Sequence, residues 1–174
     1  ILEFDFELGG DGTGNVFINY AFASDEYNEW ANTAYNDVFG FFITDTTGST
    51  TNIATIPGSG GVPVSINNIN DTEYTALYND NDGSDLGYPT PYATEYDGFT
   101  DVFQASYTID TAGTYHMMIG VADAGDHIYD SAVFIQGGSF SNEPVPVIPA
   151  PGAFLLAGIG LAYSHLKMKR RREV

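Results

Sequence analysis

The sequence predicts an all-β fold: an antiparallel β-sandwich of jelly-roll type, followed by a Pro-rich linker and a short C-terminal transmembrane helix. Three observations lead there. Apolar and polar residues alternate at period two in several short runs. Gly, Asn, Thr and Asp fill the spaces between the runs, as tight turns require. Finally, all five Lys and Arg stand in the last eight residues, directly behind an apolar stretch.

The strands are legible in order. In ILEFDFEL, Leu2, Phe4, Phe6 and Leu8 share one face, with Glu3, Asp5 and Glu7 opposite, so this strand is half-buried with a wet acidic side. GGDGTGN reads as a turn. In NVFINYAFA, Val16, Ile18, Tyr20 and Phe22 share a face; DVFGFFIT is short and apolar enough to be buried on both faces. PVSINNI is a further strand candidate. From Asp71 to Asp97 the alternation dissolves into a long loop. It resumes in DVFQASYTI, where Phe103, Ala105, Tyr107 and Ile109 align, then in TYHMMIGVAD, with Tyr115, Met117, Ile119 and Val121, and in SAVFIQG. SDEYNEWANTAYND has room for a short helical turn, and no helix of 10 or more residues is expected before residue 150. Many short strands joined by turns indicate an antiparallel sandwich. The chain opens on a strand already in progress with no Met before it, and is expected to be an N-terminally truncated piece.

The organisation follows from composition: a β-domain over 1–142, a Pro-rich linker over 143–152, a hydrophobic span over 153–166 and a basic cytoplasmic tail over 167–174. The linker EPVPVIPAPG holds four Pro in ten residues and is stiff and extended. The span AFLLAGIGLAYSHL is shorter than the about 20 residues a spanning helix usually takes. The basic cluster behind it fits the positive-inside rule, which a buried core helix would not explain. The 166 residues ahead of the tail carry 22 acidic side chains and no Lys or Arg, within a net charge of −18. Such a surface repels nucleic acid, which is excluded as a partner, and attracts cations. With no Cys, disulfides and thiolate metal sites are excluded.

VIPAPGAFLLAGIGLAYSHLKMKRRR resembles the PEP-CTERM sorting signal of exopolysaccharide-producing Gram-negative bacteria, in its Pro-x-Pro motif, its short Gly- and Leu-rich span and its terminal Arg cluster. The motif falls on Pro149, Ala150 and Pro151, with Ala in place of the usual Glu, and the cluster on Arg170, Arg171 and Arg172. The resemblance implies an exosortase-type processing enzyme as partner. It also implies a membrane anchor that is temporary, then release or attachment at the cell surface.

The domain also resembles a family. ILEFDFEL, YAFASDEYNEW, YNDVFGFFI, IATIPGSGGVPVSINNIN, YDGFTDVFQASYTI and YHMMIGVADAGDHIYDSAVFI are similar, in order, to the choice-of-anchor L domain. That family is named for pairing one ectodomain with alternative C-terminal anchors. Its usual Glu-Glu-Tyr stands here as Asp25-Glu26-Tyr27, and its usual domain begins upstream of ILEFDF. The resemblance implies no catalytic activity.

The sharpest constellation is ADAGDHIYDSAVF, where Asp123, Asp126 and Asp130 lie at a strand end, in a tight loop and at the next strand start. Carboxylates on a loop can converge on Ca²⁺, which takes about 6–8 oxygen ligands. Glu26, Asp37 and Asp97, all at strand–loop junctions, could complete the set; Asp residues that cap turns are the plain alternative. In YNDNDGSD, Gly83, Asp82 and Asp80 match an EF-hand loop, but Tyr78 at its first position and Pro89 at its twelfth do not. His116, His127 and His165 are scattered and form no zinc spacing. Ser59 lacks the flanks of a nucleophile elbow, and TDTTGSTTNIAT is a candidate for glycosylation. Trp30, Tyr88, Tyr92 and Tyr96 could stack on sugar rings.

The sequence thus predicts a non-enzymatic surface or extracellular-matrix protein, exported, membrane-anchored before processing, and calcium-stabilised. Extracellular polysaccharide or other surface components of a biofilm are its candidate partners. A carbohydrate-binding module is the alternative, and a secreted hydrolase ranks below it.

Overall fold

The computed structural model describes residues 1–125 and 128–147. Among the described residues nine strands form two antiparallel sheets: β1 (Leu2–Phe6), β2 (Gly14–Ser24), β3 (Val38–Thr44), β4 (Thr50–Asn52), β5 (Tyr78–Asp80), β6 (Gly98–Thr100), β7 (Phe103–Ile109), β8 (Tyr115–Ala122) and β9 (Ser131–Ile135). The first sheet runs β1-β8-β3-β4. In the second, β2 is central: β9 pairs one edge, β6 and β7 follow one another along the other, and β5 flanks β6. The register slips by one residue between Tyr20↔Phe103 and Ala23↔Phe99, so β6 and β7 are one lane interrupted by a bulge. There the Thr100 hydroxyl accepts from the Phe22 N–H at 3.1 Å, filling the gap in the ladder.

The alternation read from sequence builds the core. Ile18, Tyr20 and Phe22 of β2 face Phe39, Phe41 and Ile43 of β3, all nearly inaccessible. Tyr20 joins the sheets through ring contacts of 4.9 Å to Phe39 and 6.5 Å to Phe41. Met117 and Ile119 of β8 and Phe103 and Ala105 of β7 complete it. The β1 rings sit on the rim, where Phe140 packs edge-on against Phe4 at 5.5 Å and Phe6 at 5.2 Å. These orders make an all-β, sandwich-like fold and are coarser than the jelly-roll connectivity expected from sequence.

Two expectations need correction. PVSINNI is not a strand. It makes isolated bridges at Pro63 and Ser65 and then turns, with Ile69 N–H donating to the Ser65 carbonyl. Val64, Ile66 and Ile69 are nonetheless fully buried; the Asn70 side chain closes the turn, its Nδ2 donating to Ile66 and its Oδ1 accepting from Thr72 and Glu73 N–H. The long loop also has structure. It contains β5 and a one-turn helix, α1 (Gly83–Leu86), capped by Asp82. Asn81 ties the loop together, donating to the Thr94 and Tyr96 carbonyls and accepting from Tyr92 N–H. The spanning helix expected over 153–166 lies outside the described residues; among the described residues no helix is long and apolar enough to cross a membrane.

Candidate functional site

Strand register brings three of the predicted carboxylates to one end of the sandwich. Val38 of β3 pairs with Ala122 of β8, so Asp37 and Asp123 are neighbours just beyond that pair. Glu26 stands two residues past the end of β2, in the other sheet. Carboxylate oxygens of Glu26, Asp37 and Asp123 all lie within 4.8 Å of one another. Glu26 and Asp37 are buried, at 1% and 0% exposure. Asp37 accepts from Ala124 N–H at 3.0 Å and from the Ser131 hydroxyl at 2.6 Å. Since Ser131 pairs with Ser24 of β2, this carboxylate also ties the two sheets together.

Asp130 and Asp97 belong to a different acidic group. The Asp130 carbonyl accepts from Asp25 N–H at 3.0 Å. The Asp25 carboxyl is pushed above its ordinary range by burial first, then by Asp130 and Glu95. Consecutive residues at the end of β2 thus serve two groups. Asp97 is pushed up to about 6, mainly by burial and then by Asp82, Asp25, Glu29 and Asp80. Its folded value lies above 3.8, so its contribution to stability is fully present below pH 3.8 and is lost as pH rises through about 6. Asp97→Asn is therefore expected to melt above the wild type at pH 7.5 in EDTA, the gap closing by pH 4; a gap that ignores pH would contradict this. Asp126 and His127 lie outside the described residues, as do His165, Pro149, Ala150, Pro151, Arg170, Arg171 and Arg172.

The remaining candidates have turn roles or separate surroundings. Asp82 caps α1, and Asp80 accepts from Asp82 N–H at 3.0 Å. The Ser59 hydroxyl accepts from Val62 N–H at 2.9 Å, and His116 sits 2.8 Å from Asp5 on an exposed face. Trp30 packs edge-on against Tyr35 at 5.1 Å and lies 6.4 Å from Tyr129. Tyr92 and Tyr96 sit over the outer face of β2, in ring contact with Phe99 and Phe134 respectively. There Ala21, Ala23, Tyr92, Phe99, Val102 and Phe134 line an apolar pocket of about 370 Å³. Tyr88 covers Gly83. Among the described residues no ring contact joins Trp30 to Tyr88, Tyr92 or Tyr96.

The family model described as the Choice-of-anchor L domain matches residues 1–141. The chain belongs to this family. Choice-of-anchor L membership goes with an exported or surface-associated protein, and the family is not one of enzymes. No curated protein and no solved structure matches the chain. Within this choice-of-anchor L domain, sequence reasoning missed Ser131 as the partner of Asp37, and Asp25 as the centre of the second acidic group. It also missed Asn19, Gln104 and Gln136, whose signal was available: an Asn in the middle of the most buried strand needs polar partners.

Proposed function

We propose that the chain is an exported, non-enzymatic module that works at the cell surface or in the extracellular matrix of an exopolysaccharide-producing Gram-negative bacterium. A PEP-CTERM-like tail processed by an exosortase-type enzyme delivers it. The observation that carries this reading is the order of parts: a choice-of-anchor L domain over 1–141, then a Pro-rich, an apolar and a basic segment. Replacing Arg170, Arg171 and Arg172 by Ala is expected to stop maturation, so that the unprocessed chain accumulates in membrane fractions. Normal maturation of that variant would remove the sorting reading.

The ectodomain reading adds a structural Ca²⁺ held by Glu26, Asp37 and Asp123. These residues suit a hard cation: oxygen donors from three strand ends, two of them dry, with further coordination sites left for backbone carbonyls or water. Three carboxylates so close repel one another, and a divalent cation offsets that repulsion. The ion would clip β3 and β8 of one sheet to β2 of the other, a role in stability rather than in turnover.

A further inference from the structure

The outer face of β2 carries a polar device that the functional reading does not use. Asn19, which faces away from the core, is fully buried. Gln104 stands directly opposite it on β7, and Gln136 follows β9 on its other side. The Gln104 Nε2 donates to Asn19 Oδ1 and to the Val145 carbonyl, both at 2.9 Å. The Asn19 Nδ2 donates at 3.1 Å to both Gln136 Oε1 and the Val145 carbonyl. The Gln136 Nε2 donates to the Pro146 carbonyl at 3.3 Å.

The chemistry of the two sides matches. Pro144 and Pro146 have no N–H, so along the edge they share this segment offers carbonyl acceptors without donors. A row of carboxamide N–H donors is the complement of such a backbone. The clamp is anchored from below as well: Asn19 N–H donates to the Ser139 hydroxyl at 2.9 Å, and Gln136 N–H to the Asn19 carbonyl at 2.9 Å. Taking residues 143–147 away would expose Asn19 and remove a backbone carbonyl acceptor from each of the three carboxamides.

We infer that Asn19, Gln104 and Gln136 form a binding site for a proline-containing peptide backbone, filled by the chain's own residues 143–147, and that this seat closes the segment to proteases. Cleavage of the intact chain is thereby directed beyond Val147, and an enzyme cutting nearer the domain must first open the clamp. This inference stands apart from the sorting reading: it holds or fails whatever the tail does.

The test is limited proteolysis of the full chain, kept in detergent, with a protease that cleaves after proline and mass spectrometry of the products. Pro144 and Pro146 are themselves exposed, so their protection rests on the hydrogen bonds of the clamp; Pro57, likewise exposed and in a turn closed by the Ser59 N–H to Ile56 carbonyl bond, is the internal reference. Wild-type cleavage after Pro144 and Pro146 is expected to be at least about tenfold slower than after Pro57, since two or more hydrogen bonds must open first. Gln104→Glu and Gln136→Glu keep side-chain size but turn the donor into an acceptor. Each is expected to speed cleavage after Pro144 and Pro146 about tenfold, with the Pro57 rate unchanged. Wild-type cleavage after Pro144 or Pro146 as fast as after Pro57 would overturn the proposal, and this comparison needs no variant. Variants that leave the ratio of the two rates unchanged would overturn it too.

Discussion

Phe41→Ala should be the most damaging single substitution in the core, and Phe42→Ala, one residue along the same strand, should be mild. Phe41 is completely buried between the sheets, in contact with Tyr20 and Phe39. Removing a buried Phe ring typically costs about 3–5 kcal/mol, part transfer and part residual cavity. For a domain of this size that is a fall in melting temperature on the order of 10 °C. Phe42 points to the outer face of the sheet, where its ring covers Gly40, and is only partly buried, so β3 is not buried on both faces as its apolar composition suggests. Its loss should cost about 1 kcal/mol or less. Thermal melts of the two variants check the register of β3 directly. Equal effects would mean that the strand presents its faces otherwise.

This register is also why so much of the fold could be read from sequence. Period-two alternation fixes which face of a strand is buried, and in β2, β3, β7 and β8 the apolar face is uninterrupted. The segment 63–69 misled because Val64, Ile66 and Ile69 are buried as a strand's would be, while the backbone bonds go to a turn. Alternation reports burial, not the partner of each N–H. Loop order in 71–97 was hidden for a related reason: it rests on Asn81 and Asp82 side chains bonding to backbone groups, and composition alone does not distinguish such a loop from a solvated one.

The candidate site was partly legible. Glu26, Asp37 and Asp123 each stand just outside a strand, and pairing of β3 with β8 puts two of them side by side. The third needed knowledge of how the sheets face each other, which alternation does not contain. Asp97 and Asp130 sit at similar junctions but at a different part of the surface, beside Asp25. In a chain with 22 acidic residues before its tail, position at a strand end selects candidates without grouping them.

The calcium reading and the plain reading of the same cluster differ in sign. If Ca²⁺ is bound, Glu26→Gln loses a ligand and destabilises. With no cation, it relieves the repulsion among three close carboxylates and stabilises. A ligand that binds only the folded state at about 100 times its dissociation constant adds about 2.7 kcal/mol, or on the order of 5–10 °C in melting temperature for a domain this size. The most direct measurement is therefore a melt of the chain at pH 7.5 in Ca²⁺ and in EDTA, for the wild type and for Glu26→Gln. The account predicts that EDTA lowers the wild-type midpoint by that amount and leaves Glu26→Gln nearly unchanged, both ending well below the calcium-loaded wild type. Wild-type curves that coincide in Ca²⁺ and EDTA, with Glu26→Gln melting above them, would contradict it and leave Asp37 as a hydrogen-bonded tie between the sheets.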